Sequence, residues 1–120
     1  MIYADTDFFV ALARPGDRLH ESAIEIYKKY KGEICTSLAT VLELSMIAGK
    51  LGKGVEDLME GVLGVAEVRG IDRSRIMLAA RLIEISKMST FDAFHAAMCE
   101  GRIISSDHIY DKVGIDRIQL

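Results

Sequence analysis

Four acidic residues stand apart from the rest of the charge in this chain. Asp5 ends the uncharged run Ile2-Tyr3-Ala4, and Asp107 follows Ile103-Ile104-Ser105-Ser106. Glu43 has Ala39, Thr40, Met46 and Ile47 as helical neighbours three and four residues away, and none is cationic. Asp92 lies in the almost wholly apolar stretch Thr90 to Met98. A buried carboxylate without a partner is costly and ordinarily takes up a proton. A divalent cation removes that cost. Four carboxylates from four segments suit a hard ion such as Mg²⁺ or Mn²⁺, which prefers oxygen ligands and keeps several waters. One or two such ions lower the pKa of a bound water and clamp a scissile phosphodiester. The hydroxyls of Thr6 and Ser105 could orient that water.

Each acid also has a plain structural use. Asp5 and Asp7 can cap a helix. Glu43 can lie on the solvent edge of its helix, where glutamate is mostly found. Asp92 can complement the positive end of a helix dipole. Asp107 can cap the turn that follows it, with Asp111 one turn later. If instead Glu43 is a buried, unpaired metal ligand, Glu43→Gln should leave the metal-free protein folded and more stable.

The elements that must position these residues are short apolar runs alternating with helical patterns. A strand at Ile2–Ala4 leads to a helix over Phe8–Ala13, capped by Thr6 or Asp7. After a turn at Arg14–Asp17, a helix runs over His20–Lys31 and stops at Gly32. Strand two is Glu33–Thr36, and Ser37 caps a helix over Leu38–Lys50 that is apolar almost all round and so expected to be buried. A helix at Val55–Leu63, a strand at Val65–Val68 and an Asp72-capped helix at Arg73–Lys87 follow. Thr90 caps a helix over Phe91–Glu100. Strand four is Arg102–Ser105, a helical turn spans His108–Val113, and the last strand is Arg117–Leu120. The alternation predicts one α/β domain over residues 1–120: a three-layer α/β/α sandwich around a parallel sheet of four to five strands. Such sheets bind ligands outside the carboxyl ends of their strands, where the strand order reverses. If strands one and four are neighbours there, Asp5 and Asp107 share one crevice.

Composition narrows the function. Hydrophobic residues make up 50% and charged residues 28% of the 120, which marks a globular chain. A formal net charge of −3 gives no whole-protein signal for nucleic acid, which would have to meet a local patch or a metal. Arg69, Arg73, Arg75 and Arg81 with Lys50 and Lys53 could form such a patch, although a scattered solvated face is the commoner meaning. Cys35 and Cys99 fit no metal or redox spacing and read as reduced core residues of a cytoplasmic protein. Met1 leads straight into a strand, so no signal peptide is expected. No apolar run approaches the ~18 residues that span a bilayer.

Four segments carry a family resemblance. Ile2-Tyr3-Ala4-Asp5-Thr6-Asp7-Phe8-Phe9-Val10-Ala11-Leu12 resembles the opening motif of PIN domains, and Thr36 to Leu44, containing Glu43, resembles their second. Asp92-Ala93-Phe94-His95-Ala96-Ala97 is similar to their third and Ile104 to Asp111 to their fourth. Together the four cover nearly the whole chain in the family's order. The resemblance implies a flavodoxin-like sandwich and a Mg²⁺- or Mn²⁺-dependent ribonuclease. It also implies a homodimeric toxin of the VapC type, held inactive by a small antitoxin. Its acidic site would be Asp5, Glu43, Asp92 and Asp107, with Thr6 in support. Asp7 stands where the family more often has Asn, and Ser106 where Asn or Asp is frequent. The first adds charge; the second removes a possible ligand.

Other chemistries find less support. His20, His95 and His108 have no metal-ligand spacing; His95, one turn after Asp92, reads as orienting it or as a helix-surface residue. The glycines between Gly49 and Gly64 lack the phosphate-loop pattern. A phosphoaspartate receiver needs a lysine near its acids, and strand four and its exit supply none. A binding module that kept the fold and lost turnover is the main alternative, against which four mutually repelling acids count. Met46, Met59, Leu58, Val62 and Leu63 read mostly as core, or else as an apolar clasp for a partner.

Overall fold

In the computed structural model, which describes residues 1–120, five strands pair into one parallel sheet. They are β1 (Ile2–Ala4), β2 (Ile34–Ser37), β3 (Glu67–Arg69), β4 (Arg102–Ser105) and β5 (Asp116–Gln119). The connections are α1 (Thr6–Ala13), α2 (His20–Tyr30), α3 (Leu38–Leu51), α4 (Val55–Val65), α5 (Arg73–Ser86) and α6 (Thr90–Met98), with a 3₁₀ turn at His108–Val113. The largest departures from the sequence reading are boundaries displaced by two residues: α1 begins at Thr6 rather than Phe8, β3 begins at Glu67 because α4 runs on to Val65, and α6 ends at Met98 rather than Glu100.

Alternate residues of each central strand enter opposite cores. Ala4, Ile34 and Ile104 pack with Phe8, Phe9, Ala23, Leu44 and Val62, under α1 to α4. Tyr3, Cys35 and Ile103 pack with Ala79, Ala93, Ala97 and Tyr110, under α5, α6 and the 3₁₀ turn. A sheet covered on both faces has no polar side, so its strands read as unbroken apolar runs. The strand order is β3-β2-β1-β4-β5, which reverses between β1 and β4. Their register pairs Tyr3 with Ile103 and Ala4 with Ile104, and the Asp5 N–H continues the ladder to the Ile104 carbonyl at 3.2 Å. Asp5 and Ser105 therefore leave the sheet side by side.

The caps decide which acid faces where. Asp5, not Thr6 or Asp7, caps α1: it keeps the extended backbone of β1, and its Oδ1 accepts the Asp7 N–H at 3.2 Å. Ser37 caps α3 through the Ala39 N–H, and Asp72 caps α5 through the Arg75 N–H, both as expected. At α6 the cap position belongs to Ser89 rather than Thr90, and the Ser89 hydroxyl turns to Asp92 at 2.8 Å. Gly52 ends α3 at φ 65, a left-handed turn that costs a residue with a Cβ more.

The structure corrects one feature of α3. It is not buried all round: Leu38, Leu42 and Met46, four residues apart on one stripe, are 44%, 50% and 73% exposed. Helices α1, α4 and α6 pack on its other sides, and nothing in the chain covers this stripe. No helix is long and apolar enough to cross a membrane.

Candidate functional site

Asp5 is the most constrained acid. It is 5% exposed at the end of the central strand. Its Oδ2 accepts the Ser105 hydroxyl at 2.6 Å, and the Ser105 oxygen in turn accepts the Asp107 N–H at 2.9 Å. Ser105 is thus committed to holding Asp5. Asp7 lies alongside: its Oδ2 accepts the Ser106 N–H at 2.9 Å and also the Ser106 hydroxyl, while its Oδ1 is buried with no partner. Burial first, and the Asp7 carboxylate second, push the Asp5 carboxyl well above the ordinary aspartate value of 3.8. Two carboxylates in one buried corner, one of them with an orphaned oxygen, fit a cation.

Glu43 differs from the unpartnered residue expected from its helix. Its partners come from other elements. Its Oε1 accepts the Thr6 hydroxyl from α1 and lies 3.1 Å from His95 Nε2 on α6. Burial alone would raise its pKa, but the hydrogen bonds from His95 and Thr6 outweigh it and leave Glu43 below its ordinary value. The stability gain expected of Glu43→Gln therefore does not apply, since the change weakens two charge-assisted hydrogen bonds.

His95 is neither at the surface nor turned to Asp92. It is 2% exposed, and its Nδ1 lies 2.7 Å from the Tyr3 hydroxyl, which lies 2.7 Å from Ser37 Oγ. Asp92 turns instead to Ser89 and to Tyr110, whose hydroxyl is 3.4 Å from its Oδ1. Tyr110 is fully buried. Burial, then the charges of Asp5, Asp92 and Asp107, push its phenol far above the ordinary value. Asp107 also caps the 3₁₀ turn through the Ile109 N–H at 2.9 Å. Asp111 is committed to Arg117, whose guanidinium bonds Asp111 Oδ1 at 2.9 Å and the Ser105 carbonyl at 3.0 Å.

The acids thus form an arc rather than a closed cage: Asp5 at its centre, Glu43 on the Thr6 flank, Asp92 and Asp107 on the Tyr110 flank. No three His, Cys, Asp or Glu side chains converge closely enough to hold a metal by themselves. Mg²⁺ seldom asks for that, being held through one or two carboxylates, its own waters and substrate phosphates. An all-oxygen donor set centred on Asp5 fits such an ion.

The sequence reading missed His95, Tyr3 and Tyr110 as parts of this arrangement. At 100° per residue His95 lies off the face of α6 that Ala93, Ala96 and Ala97 share, so no signal in the sequence marked it as packed. Nor was there one for the tyrosines, because a phenol in a core run reads only as apolar bulk.

Fold and site together define an α/β/α sandwich with an acidic crevice at the point where its strand order reverses. The model of the PIN domain family matches residues 2–115, and the chain belongs to that family. Solved structures agree on the fold. VapC20 from Mycobacterium tuberculosis, described as a toxin that cleaves the sarcin–ricin loop, superposes over 100% of both chains with a TM-score of 0.84 at 19% identity. FitAcB from Neisseria gonorrhoeae matches 99% of this chain and 97% of its own, with a TM-score of 0.69 at 15% identity. VapBC2 from Rickettsia felis, bound to a DNA fragment from its promoter, matches 100% and 99%, with a TM-score of 0.69 at 16% identity. Curated protein sequences yield no significant match.

Proposed function

We propose that the chain is a Mg²⁺- or Mn²⁺-dependent endoribonuclease and the toxin of a toxin–antitoxin pair. The observation that carries this reading is Asp5, a buried carboxylate at the end of the central strand that faces a second carboxylate and is strained in its ionised form without a cation. Asp5, Glu43, Asp92 and Asp107 would hold the ion. When bound, it supplies an activated water and offsets charge developing on the phosphate. The chain's own residues set the stage. Ser105 fixes one oxygen of Asp5, and Thr6 holds Glu43 rather than a water. Family membership supports the reaction class, and the toxin fold of VapC20 supports the biological setting. EDTA should abolish cleavage of single-stranded RNA, and Mg²⁺ or Mn²⁺ should restore it. Cleavage that survives EDTA would contradict the metal, and RNA left intact at every metal concentration would favour a binding module.

An apolar cleft of about 260 Å³ between α1, α2 and α4, lined by Phe9, Leu12, Tyr27, Leu58 and Val62, could seat an amphipathic helix of a small antitoxin. The two buried free cysteines suit a reducing, cytoplasmic location.

A homodimer belongs to the same proposal. Besides the α3 stripe, α5 leaves Ile76, Met77, Leu78 and Ile85 at 43% to 72% exposure. Apolar surface of that extent is commonly covered by a partner. Within one copy Arg69 pairs with Glu67, and Arg75 with Asp72 and Glu100, which takes two cations from the candidate basic patch. Two copies would pool what is left. Light scattering should report a dimer for the parent and a shift toward monomer for Met46→Glu. A parent that stays monomeric at all working concentrations would count against the dimer.

A further inference from the structure

A chain of hydrogen bonds leaves α3, crosses the core beneath the acidic arc and returns to α3. Ser37 Oγ, at the cap of α3, lies 2.7 Å from the Tyr3 hydroxyl on β1. That hydroxyl lies 2.7 Å from His95 Nδ1 on α6. His95 Nε2 then faces Glu43 Oε1 at 3.1 Å, back on α3, with Thr6 Oγ1 at 3.2 Å. Ser37, Tyr3 and His95 are 0%, 1% and 2% exposed, so no water competes for the two bonds that join them, whereas the Glu43 side chain is 29% exposed.

The direction of each bond follows from chemistry. A phenol is protonated at pH 8 and below, so the Tyr3 hydroxyl can donate. Ser37 Oγ already accepts the Ala39 N–H and can pass its own proton toward the phenol oxygen. The phenol then donates to His95 Nδ1, and the ring carries its proton on Nε2, facing a carboxylate that only accepts. The other tautomer would turn a bare nitrogen lone pair toward the Glu43 oxygen.

We infer that Tyr3 and His95 are positioning residues for Glu43: the phenol fixes His95 as its Nε2–H tautomer, and that N–H holds the Glu43 carboxylate in place beside Thr6. This rests on the metal site proposed above, in which Glu43 is a ligand. Neither Tyr3 nor His95 touches the ion or the RNA. They act through Glu43, as the outer partners of metal ligands commonly do, and changing such partners typically weakens metal binding 10- to 100-fold.

Two measurements test it. In the metal-free protein at pH 8, ¹⁵N resonances of the His95 ring should show an acceptor-type Nδ1 and a protonated Nε2, a pattern lost in Tyr3→Phe. Mn²⁺ affinity, read by electron paramagnetic resonance on proteins shown to be folded by circular dichroism, should fall about 10-fold in Tyr3→Phe and more in His95→Leu. His95→Gln keeps an N–H donor and should recover most of the loss. In a Glu43→Gln background, Tyr3→Phe should cause no further loss, whereas a packing role alone would lower affinity equally in both backgrounds. A protonated Nδ1, or a His95→Leu protein that binds Mn²⁺ like the parent, would overturn the inference. A parent that binds no Mn²⁺ would overturn the metal site itself, and the inference with it.

Discussion

Asp5→Asn should lower cleavage of single-stranded RNA by about two orders of magnitude or more, equivalent to ~3 kcal/mol of transition-state stabilisation, while making the metal-free protein more stable. The two effects have one cause. In the folded chain Asp5 is buried against the Asp7 carboxylate, so its carboxyl is raised above the ordinary value of 3.8. A group whose folded pKa is raised favours the folded state only while protonated, and that favour is lost as pH climbs past 3.8 toward the folded value. As pH rises past 3.8 the parent therefore bears a penalty that grows until Asp5 is ionised in the folded state as well. Asparagine removes the charge; its one carbonyl oxygen can keep the Asp7 N–H, while its NH₂ group must donate toward Ser105 Oγ and so reverses that bond. The stability gain should grow as pH rises above about 4 and vanish below it. Chemical denaturation across pH, beside a cleavage assay, checks both halves. A variant that loses activity and stability together would assign Asp5 a structural role.

Phe8→Ala should do the opposite: destabilise the protein by about 3–5 kcal/mol without altering the chemistry of the molecules that remain folded. Phe8 is fully buried in the first turn of α1 and meets Phe9 edge to face at 5.3 Å between ring centroids. It belongs to the core that also holds Ala4, Ile34, Leu44 and Ile104 from the sheet and α3. Removing the ring leaves a cavity in a core built from three strands and a helix, which have little freedom to collapse. Against a total stability of roughly 5–15 kcal/mol, that loss should move the denaturation midpoint far more than any change in the acidic arc. A loss below ~1 kcal/mol would show that this core is loosely packed.

The fold was legible because its signals are local. Ile2–Ala4 is a short apolar run with no alternation, Ile103 and Ile104 form the apolar centre of Arg102–Ser105, and Ser37 and Asp72 cap the helices they precede. Asp5 and Asp107 were legible as strand-end acids for the same reason. The partners of Glu43 were not. They reside on α1 and α6, 37 and 52 residues distant, and no spacing rule within a helix reveals them. His95 was misplaced because a lone histidine on a short apolar helix carries no mark of which face is buried until β1 and α3 are docked against it. The exposed stripe of Leu38, Leu42 and Met46 was misread as core because hydrophobicity alone does not say whether the covering surface belongs to the same chain.

The central claim is that Asp5 and its neighbouring acids hold a divalent cation, and thermal unfolding with and without Mn²⁺ tests it most directly. An ion that binds only the folded state stabilises it by about 2.7 kcal/mol at a hundred times its dissociation constant. The parent should therefore melt at a clearly higher temperature in Mn²⁺, and Asp5→Asn, although more stable to begin with, should show little or no rise. An equal rise in both proteins, or none in the parent, would contradict a cation held at Asp5.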